Sequence, residues 1–216
     1  MTKLSLSRYR LTTIFLLLSL LLAACGANEP YHETFDTQGS WETGNVLGAS
    51  SRINNGFYEF TVEEPIGIFW ATAGTNQGDG IYELEATQVA GPLDNGYGLL
   101  FRSSLDPNNG AFYLFKISGD GHAWMGYCSL GCSENETPLV GQGWVETSAI
   151  KQGLNETNIL RVTAEGSNFV FAVNGIEVGR VSDPTLTKGD IGLLVQTLGE
   201  GGVRIHFDNA KVLPLN

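Results

Sequence analysis

Polar and apolar residues alternate in short runs along most of this chain, with glycine, asparagine or aspartate at the joints. In Val203-Arg204-Ile205-His206-Phe207-Asp208, a period of two sends Val203, Ile205 and Phe207 to one face and Arg204, His206 and Asp208 to the other. β-rich runs cover Phe57 to Val62, Ile66 to Trp70, Ile81 to Val89, Tyr97 to Ser103, Ala111 to Ile117, Ala123 to Tyr127, Ile159 to Ala164, Asn168 to Val173, Ile176 to Val181, Ile191 to Gln196 and Val203 to Val212. No stretch holds a 3.6-residue apolar period, so the pattern predicts an all-β sandwich or barrel of many short strands. Asn174-Gly175, between Phe169-x-Phe171-x-Val173 and Ile176-x-Val178, is the strongest hairpin signal, because a type I′ turn needs positive φ at both central residues. Asn54-Asn55-Gly56 and Asp106-Pro107-Asn108-Asn109-Gly110 mark two further turns.

The alternation also sorts side chains. Tyr82, Leu84 and Ala86 are expected inside and Glu83, Glu85 and Thr87 outside. Leu99 and Phe101 are expected to face inward, with Leu100 and Arg102 on the opposite face. The runs Ala111 to Ile117 and Ile191 to Gln196 are apolar on both faces. A sheet whose second face still carries Leu100 and aromatics is either covered by loops or binds something.

The N-terminal segment reads differently. Lys3, Arg8 and Arg10 precede an apolar run from Leu11 to Leu22, broken only by Thr12, Thr13 and Ser19, and Leu22-Ala23-Ala24-Cys25 follows. These are the parts of a secretory signal. The run is shorter than the ~20 residues a membrane span needs, so a transmembrane anchor fits less well. Leu-Ala-Ala-Cys resembles the lipobox of bacterial lipoproteins, which implies cleavage after residue 24 and a lipid (palmitate-type acyl chains) on Cys25. The expected organisation is a signal peptide at 1–24, a lipid-anchored tether at 25–30 and one β-sandwich domain at 31–216, held in the cell envelope outside the cytoplasm.

Without its three N-terminal cations the chain carries 9 basic and 23 acidic residues, a net charge of about −14. Such a body repels nucleic acid and anionic lipid headgroups, so neither is an expected partner; the membrane is reached through the lipid. Cys128 and Cys132 remain as an even pair in an oxidising compartment and are expected to form a disulfide across a tight turn at Gly131.

The blocks Tyr82-x-Leu84-x-Ala86, Asn95-Gly96-Tyr97-Gly98-Leu99-Leu100-Phe101-Arg102 and Phe112-Tyr113-Leu114-Phe115-Lys116-Ile117-Ser118-x-Asp120-Gly121 resemble a concanavalin A-like lectin/glucanase sandwich. Within that superfamily they are most similar to the 3-keto-disaccharide hydrolase type of domain. Asn158-x-Leu160-x-Val162-x-Ala164-x-Gly166, Gly189-x-Ile191-Gly192-Leu193 and Phe207-Asp208-Asn209-x-x-Val212 extend the resemblance over about residues 33–213. It implies a jelly-roll β-sandwich, a fold that enzymes, lectin-like modules and domains of no known activity share.

Candidate chemistry is sparse. Glycoside cleavage needs two carboxyls flanking the bond, and Glu83 and Glu85 stand about 6.6 Å apart along one strand face. Glu-Leu-Glu resembles the Glu-x-Asp-x-x-Glu strand of laminarinase-type enzymes, but the third position is Gln88, and a solvated polar face accounts for both glutamates. There is no Gly-x-Ser-x-Gly elbow, and His32, His122 and His206 show no zinc-binding spacing. No cofactor or metal is expected; calcium is the one ion for which loops offer oxygens, at 106–109 or Asp208-Asn209, where Asx turns are the alternative use. Saccharide binding asks for flat aromatics and planar hydrogen-bonding groups. Trp70, Trp124 and Trp144 at strand ends, with Arg102, Tyr113 and Gln196, are the candidates. Arg102 leads, because a guanidinium among apolar neighbours must find a partner or face a ligand; a carboxylate such as Glu83 or Glu85 would be the structural partner. The sequence thus favours a non-catalytic, lectin-like module for carbohydrate or another extracellular ligand. The alternatives are a glycoside or 3-keto-disaccharide hydrolase (or lyase) and a structural envelope module that binds another protein.

Overall fold

In the computed structural model, which describes residues 30–104, 110–129, 132 and 136–215, the alternating runs fold into strands of two antiparallel sheets. Among these residues the strands are β1 (Tyr31–Glu33), β2 (Gly44–Val46), β3 (Ala49–Asn54), β4 (Phe57–Val62), β5 (Ile66–Thr72), β6 (Gly80–Ala90), β7 (Gly96–Ser103), β8 (Phe112–Ser118), β9 (His122–Cys128), β10 (Glu136–Pro138), β11 (Val145–Glu146), β12 (Thr157–Glu165), β13 (Asn168–Val173), β14 (Ile176–Ser182), β15 (Asp190–Leu198) and β16 (Val203–Leu213). The nine-stranded sheet runs β14-β13-β12-β6-β16-β4-β3-β2, with β1 added on β16. The seven-stranded sheet runs β10-β9-β8-β7-β15-β5, with β11 added on β9.

The strongest hairpin signal and one of the two further turn signals both form hairpins. Asn174 and Gly175 join β13 to β14 at φ 51° and 82°, and Asn55 and Gly56 join β3 to β4 at 53° and 79°. The turn at 106–109, and calcium binding there, lie outside the described residues, as do Gly131 and the signal, lipobox and tether up to residue 29.

Between the sheets, Tyr82, Leu84 and Ala86 of β6, Leu160 and Val162 of β12 and Phe169 and Phe171 of β13 pack against Leu99, Phe101, Phe115 and Val195. This is the core that the alternation requires. A second, separate cluster lies on the far face of the seven-stranded sheet: Leu100, Phe112, Leu114, Trp124 and Leu194, closed by the Cys128–Cys132 disulfide. The runs that are apolar on both faces are the strands between these two clusters.

One expectation about orientation fails. Arg102 does not follow Leu100 onto the far face. The pairing of β7 with β15 shifts register at its end, and Arg102 takes φ 52° there. The extra residue of this bulge turns the side chain into the interior.

Candidate functional site

Period two on β7, β8, β9, β15 and β5 sets one set of side chains on the outer face of the seven-stranded sheet. Lys116 of β8 lies opposite Trp124 of β9, and Gln196 of β15 lies between Gly96 of β7 and Ile68 of β5. Glu136 of β10 lies opposite Cys128. Lys116 is fully buried, and its Nζ donates to Glu136 Oε1 and to Gln196 Oε1, each at 2.6 Å. The same nitrogen sits 4.1 Å from the Trp124 ring and 5.5 Å from that of Trp144. Gln196 Nε2 in turn donates to Glu136 Oε2 at 3.3 Å. Burial pushes the Lys116 ammonium below its usual range, against the pull of the Glu136 carboxylate.

Two glycines make room for the indoles. A Cβ on Gly96 would lie 3.1 Å from the Trp144 ring, and one on Gly126 would lie 2.5 Å from that of Trp124. Trp70 of the edge strand β5, 39% exposed, shares the face and leans on Phe112 with ring centres 5.5 Å apart. The result is a fixed lysine, carboxylate and amide, walled by indoles and floored where side chains are missing.

Two recesses open at the ends of this face. One, of about 270 Å³, is lined by Asp94, Ser118, Asp120, His122, Trp144 and Leu198. There Asp120 accepts hydrogen bonds from Ser118 Oγ and from His122 Nδ1. Although burial opposes them, these two bonds hold its carboxyl below the usual range. The other, of about 460 Å³, is a cleft between the open edges of the two sheets, walled by Trp70, Glu42, Asn45, Ser50 and Ser51 over Phe60.

Of the residues singled out by sequence, Trp124, Trp144, Gln196 and Trp70 come together on this face. Arg102 and Tyr113 do not. The Arg102 guanidinium, fully buried, donates to Gly166 O, Leu186 O and Asp79 Oδ1 at 2.8 to 2.9 Å and lies over Phe169. Its carboxylate partner is thus Asp79 rather than Glu83 or Glu85. Tyr113 points into the core, where its hydroxyl donates to Asp183 Oδ1 at 2.6 Å. Glu83 and Glu85 stand on the outer face of the other sheet, and Glu83 is paired with Arg161 and Lys211. Asp208 and Asn209, the second pair considered for calcium, lie within β16 where its pairing with β6 shifts register, and there Asn209 N donates to Asp208 Oδ1. Among the described residues no group of three or more His, Cys, Asp or Glu side chains is placed to hold a metal.

Sequence reasoning missed Lys116 and Glu136. The signal for Lys116 was present: it is a lone cation in Phe-Tyr-Leu-Phe-Lys-Ile, the same anomaly that drew attention to Arg102. Glu136 carries no such mark, since it reaches the site from a three-residue strand.

No family model and no curated protein matches the chain. Solved structures do. A carbohydrate-binding module, CBM66, from Bacillus subtilis superposes with a TM-score of 0.63 at 19% identity, over 81% of this chain and 96% of that one. A β-glucanase from Bacillus licheniformis gives 0.62 at 11% identity, over 87% and 99% of the two chains. A protein of unknown function with a galectin-like fold from Bacillus subtilis gives 0.65 at 12% identity, over 88% and 97%. The fold is therefore the concanavalin A-like jelly-roll sandwich; the narrower likeness to 3-keto-disaccharide hydrolase-type domains rests on the sequence blocks alone.

Proposed function

We propose that this chain is a lipid-anchored, extracytoplasmic carbohydrate-binding protein whose site is the outer face of the seven-stranded sheet. The observation that carries this reading is the composition of that face. The exposed indole of Trp70 and the half-buried one of Trp144 stand beside a planar amide and a carboxylate that Lys116 locks in place over the buried Trp124, and this pairs stacking surfaces for sugar C–H faces with oriented partners for hydroxyls. Preorganised polar groups of this kind lose little entropy on binding. The jelly-roll neighbours that bind or cut carbohydrate agree with the reading, and the Leu22-Ala23-Ala24-Cys25 motif supports the anchor.

Binding is favoured over hydrolysis by the carboxyls. A glycosidase pairs an ionised carboxylate with a protonated one of raised pKa. Asp120 is held low and suits the ionised role. Asp208, which burial pushes up, lies on the outer face of the opposite sheet, far from the indoles.

A glycan-array and polysaccharide pull-down screen of the detergent-solubilised protein tests the reading. Trp144→Ala is expected to weaken saccharide binding by about tenfold, the worth of one good stacking contact. Turnover of a glycoside or keto-sugar by the same sample would replace the reading with the hydrolase one.

A further inference from the structure

The two recesses are not independent. Ser118 lines the smaller one and Ile68 lines the edge cleft. Between them the sheet register makes one continuous cross-strand row, Ser118 to Gly96 to Gln196 to Ile68. Three strand spacings separate its ends, roughly 14 Å along the sheet. The Trp144 ring and the Lys116 stem lie over Gly96, where a Cβ would meet them at 3.1 and 3.5 Å, and Gln196 is the one long polar group of the row. An indole stands at each end, Trp144 over the smaller recess and Trp70 at the mouth of the cleft.

The walls also carry a sign. Asp94 and Asp120 line one recess and Glu42 the other, while the ammonium of Lys116, on the same face in the neighbouring row, is bonded to Glu136. A uronate or sulfated chain laid along the row would meet carboxylates at both ends.

The geometry points to an extended, neutral polysaccharide chain as the ligand, running from Trp144 across Gln196 and ending in the edge cleft beyond Trp70. This rests on the carbohydrate-binding reading of the same face and adds to it chain length, direction and charge. A monosaccharide or disaccharide fills one recess only; a longer chain gains the second indole and the cleft walls. Trp70 is then a specificity-determining residue for length, and Trp144 is needed at every length.

The test is calorimetric titration of the intact protein with ladders from disaccharide to hexasaccharide of neutral β-glucan, chitin and fructan, beside a uronate ladder. Affinity is expected to climb with length on a neutral ladder. Trp70→Ala should lower the affinity for long oligomers by about tenfold, towards the disaccharide value. Trp70→Phe, which keeps a flat ring, should restore most of the gain, and unchanged melting curves show that both variants are folded. Affinity that is flat with length, a length gain that survives Trp70→Ala, or preference for the uronate ladder would overturn the inference while leaving saccharide binding intact. Failure of every ladder to bind would overturn both.

Discussion

Arg102 and Lys116 are both fully buried, on opposite sides of the same sheet, and the difference decides what each does. Arg102 ties the ends of several loops together through Gly166, Leu186 and Asp79. Replacing it with methionine keeps bulk but takes the donor from Gly166 O and Leu186 O and the ion pair from Asp79, which keeps its bond from Gly166 N, a loss of about 3 kcal/mol. Its melting temperature should fall by roughly 10 °C, with saccharide affinity unchanged in the folded fraction. Lys116→Met should cost a similar amount and in addition weaken binding, because Glu136 and Gln196 lose the donor that orients them. The period of two placed Arg102 wrongly, and Lys116 passed unremarked in a run read as apolar on both faces. Alternation fails at a bulge, and nothing in Phe101-Arg102-Ser103 announces one; it is set by the register against β15.

Short elements were the least legible, and one of them presents a key carboxylate. β1, β2, β10 and β11 are two or three residues long, too short to show a period, and their pairing is imposed by neighbours. The cysteine count did foretell the bond that restrains β10: Cys128 and Cys132 are joined, with Cα atoms 5.2 Å apart, and Cys128 faces Glu136 across the ladder. So small a loop is worth about 2 kcal/mol in the chain-entropy picture. The double Cys→Ser variant should lose about that much unfolding free energy in a denaturant titration. Its amide exchange should quicken first in β10, and its saccharide affinity should fall as Glu136 loosens. Equal protection of β10 in both proteins would separate the disulfide from the site.

For the whole molecule, alternation and turn chemistry were enough to give an all-β sandwich or barrel, because a period of two fixes which residues must be buried together; the jelly roll came from the resemblance of the sequence blocks. They could not give the site, which is assembled from β8, β10, β15 and the residue before β11. The packed tyrosines make the fold sensitive to alkali. Burial raises Tyr31, Tyr58 and Tyr113 from 10.0 to about 12. A group with a raised folded pKa contributes stability that is complete below its unfolded value and is lost as pH climbs through the folded one. Stability should therefore decline between about pH 10 and pH 12, with tyrosinate absorbance rising together with the loss of β-sheet circular dichroism rather than before it. At the other end of the chain, Cys25→Ser should abolish labelling by radioactive palmitate and release the protein from membranes.

The central claim is the location of the ligand face, and chemical-shift mapping of the protein with a bound oligosaccharide tests it most directly. The account predicts that the indole N–H signals of Trp144 and Trp70 and the side-chain amide of Gln196 move together on titration, while Arg161 and His206 on the opposite sheet stay still. Shifts confined to Arg161, His206 and the Glu83–Glu85 strand, with the three indicator groups unmoved, would contradict it.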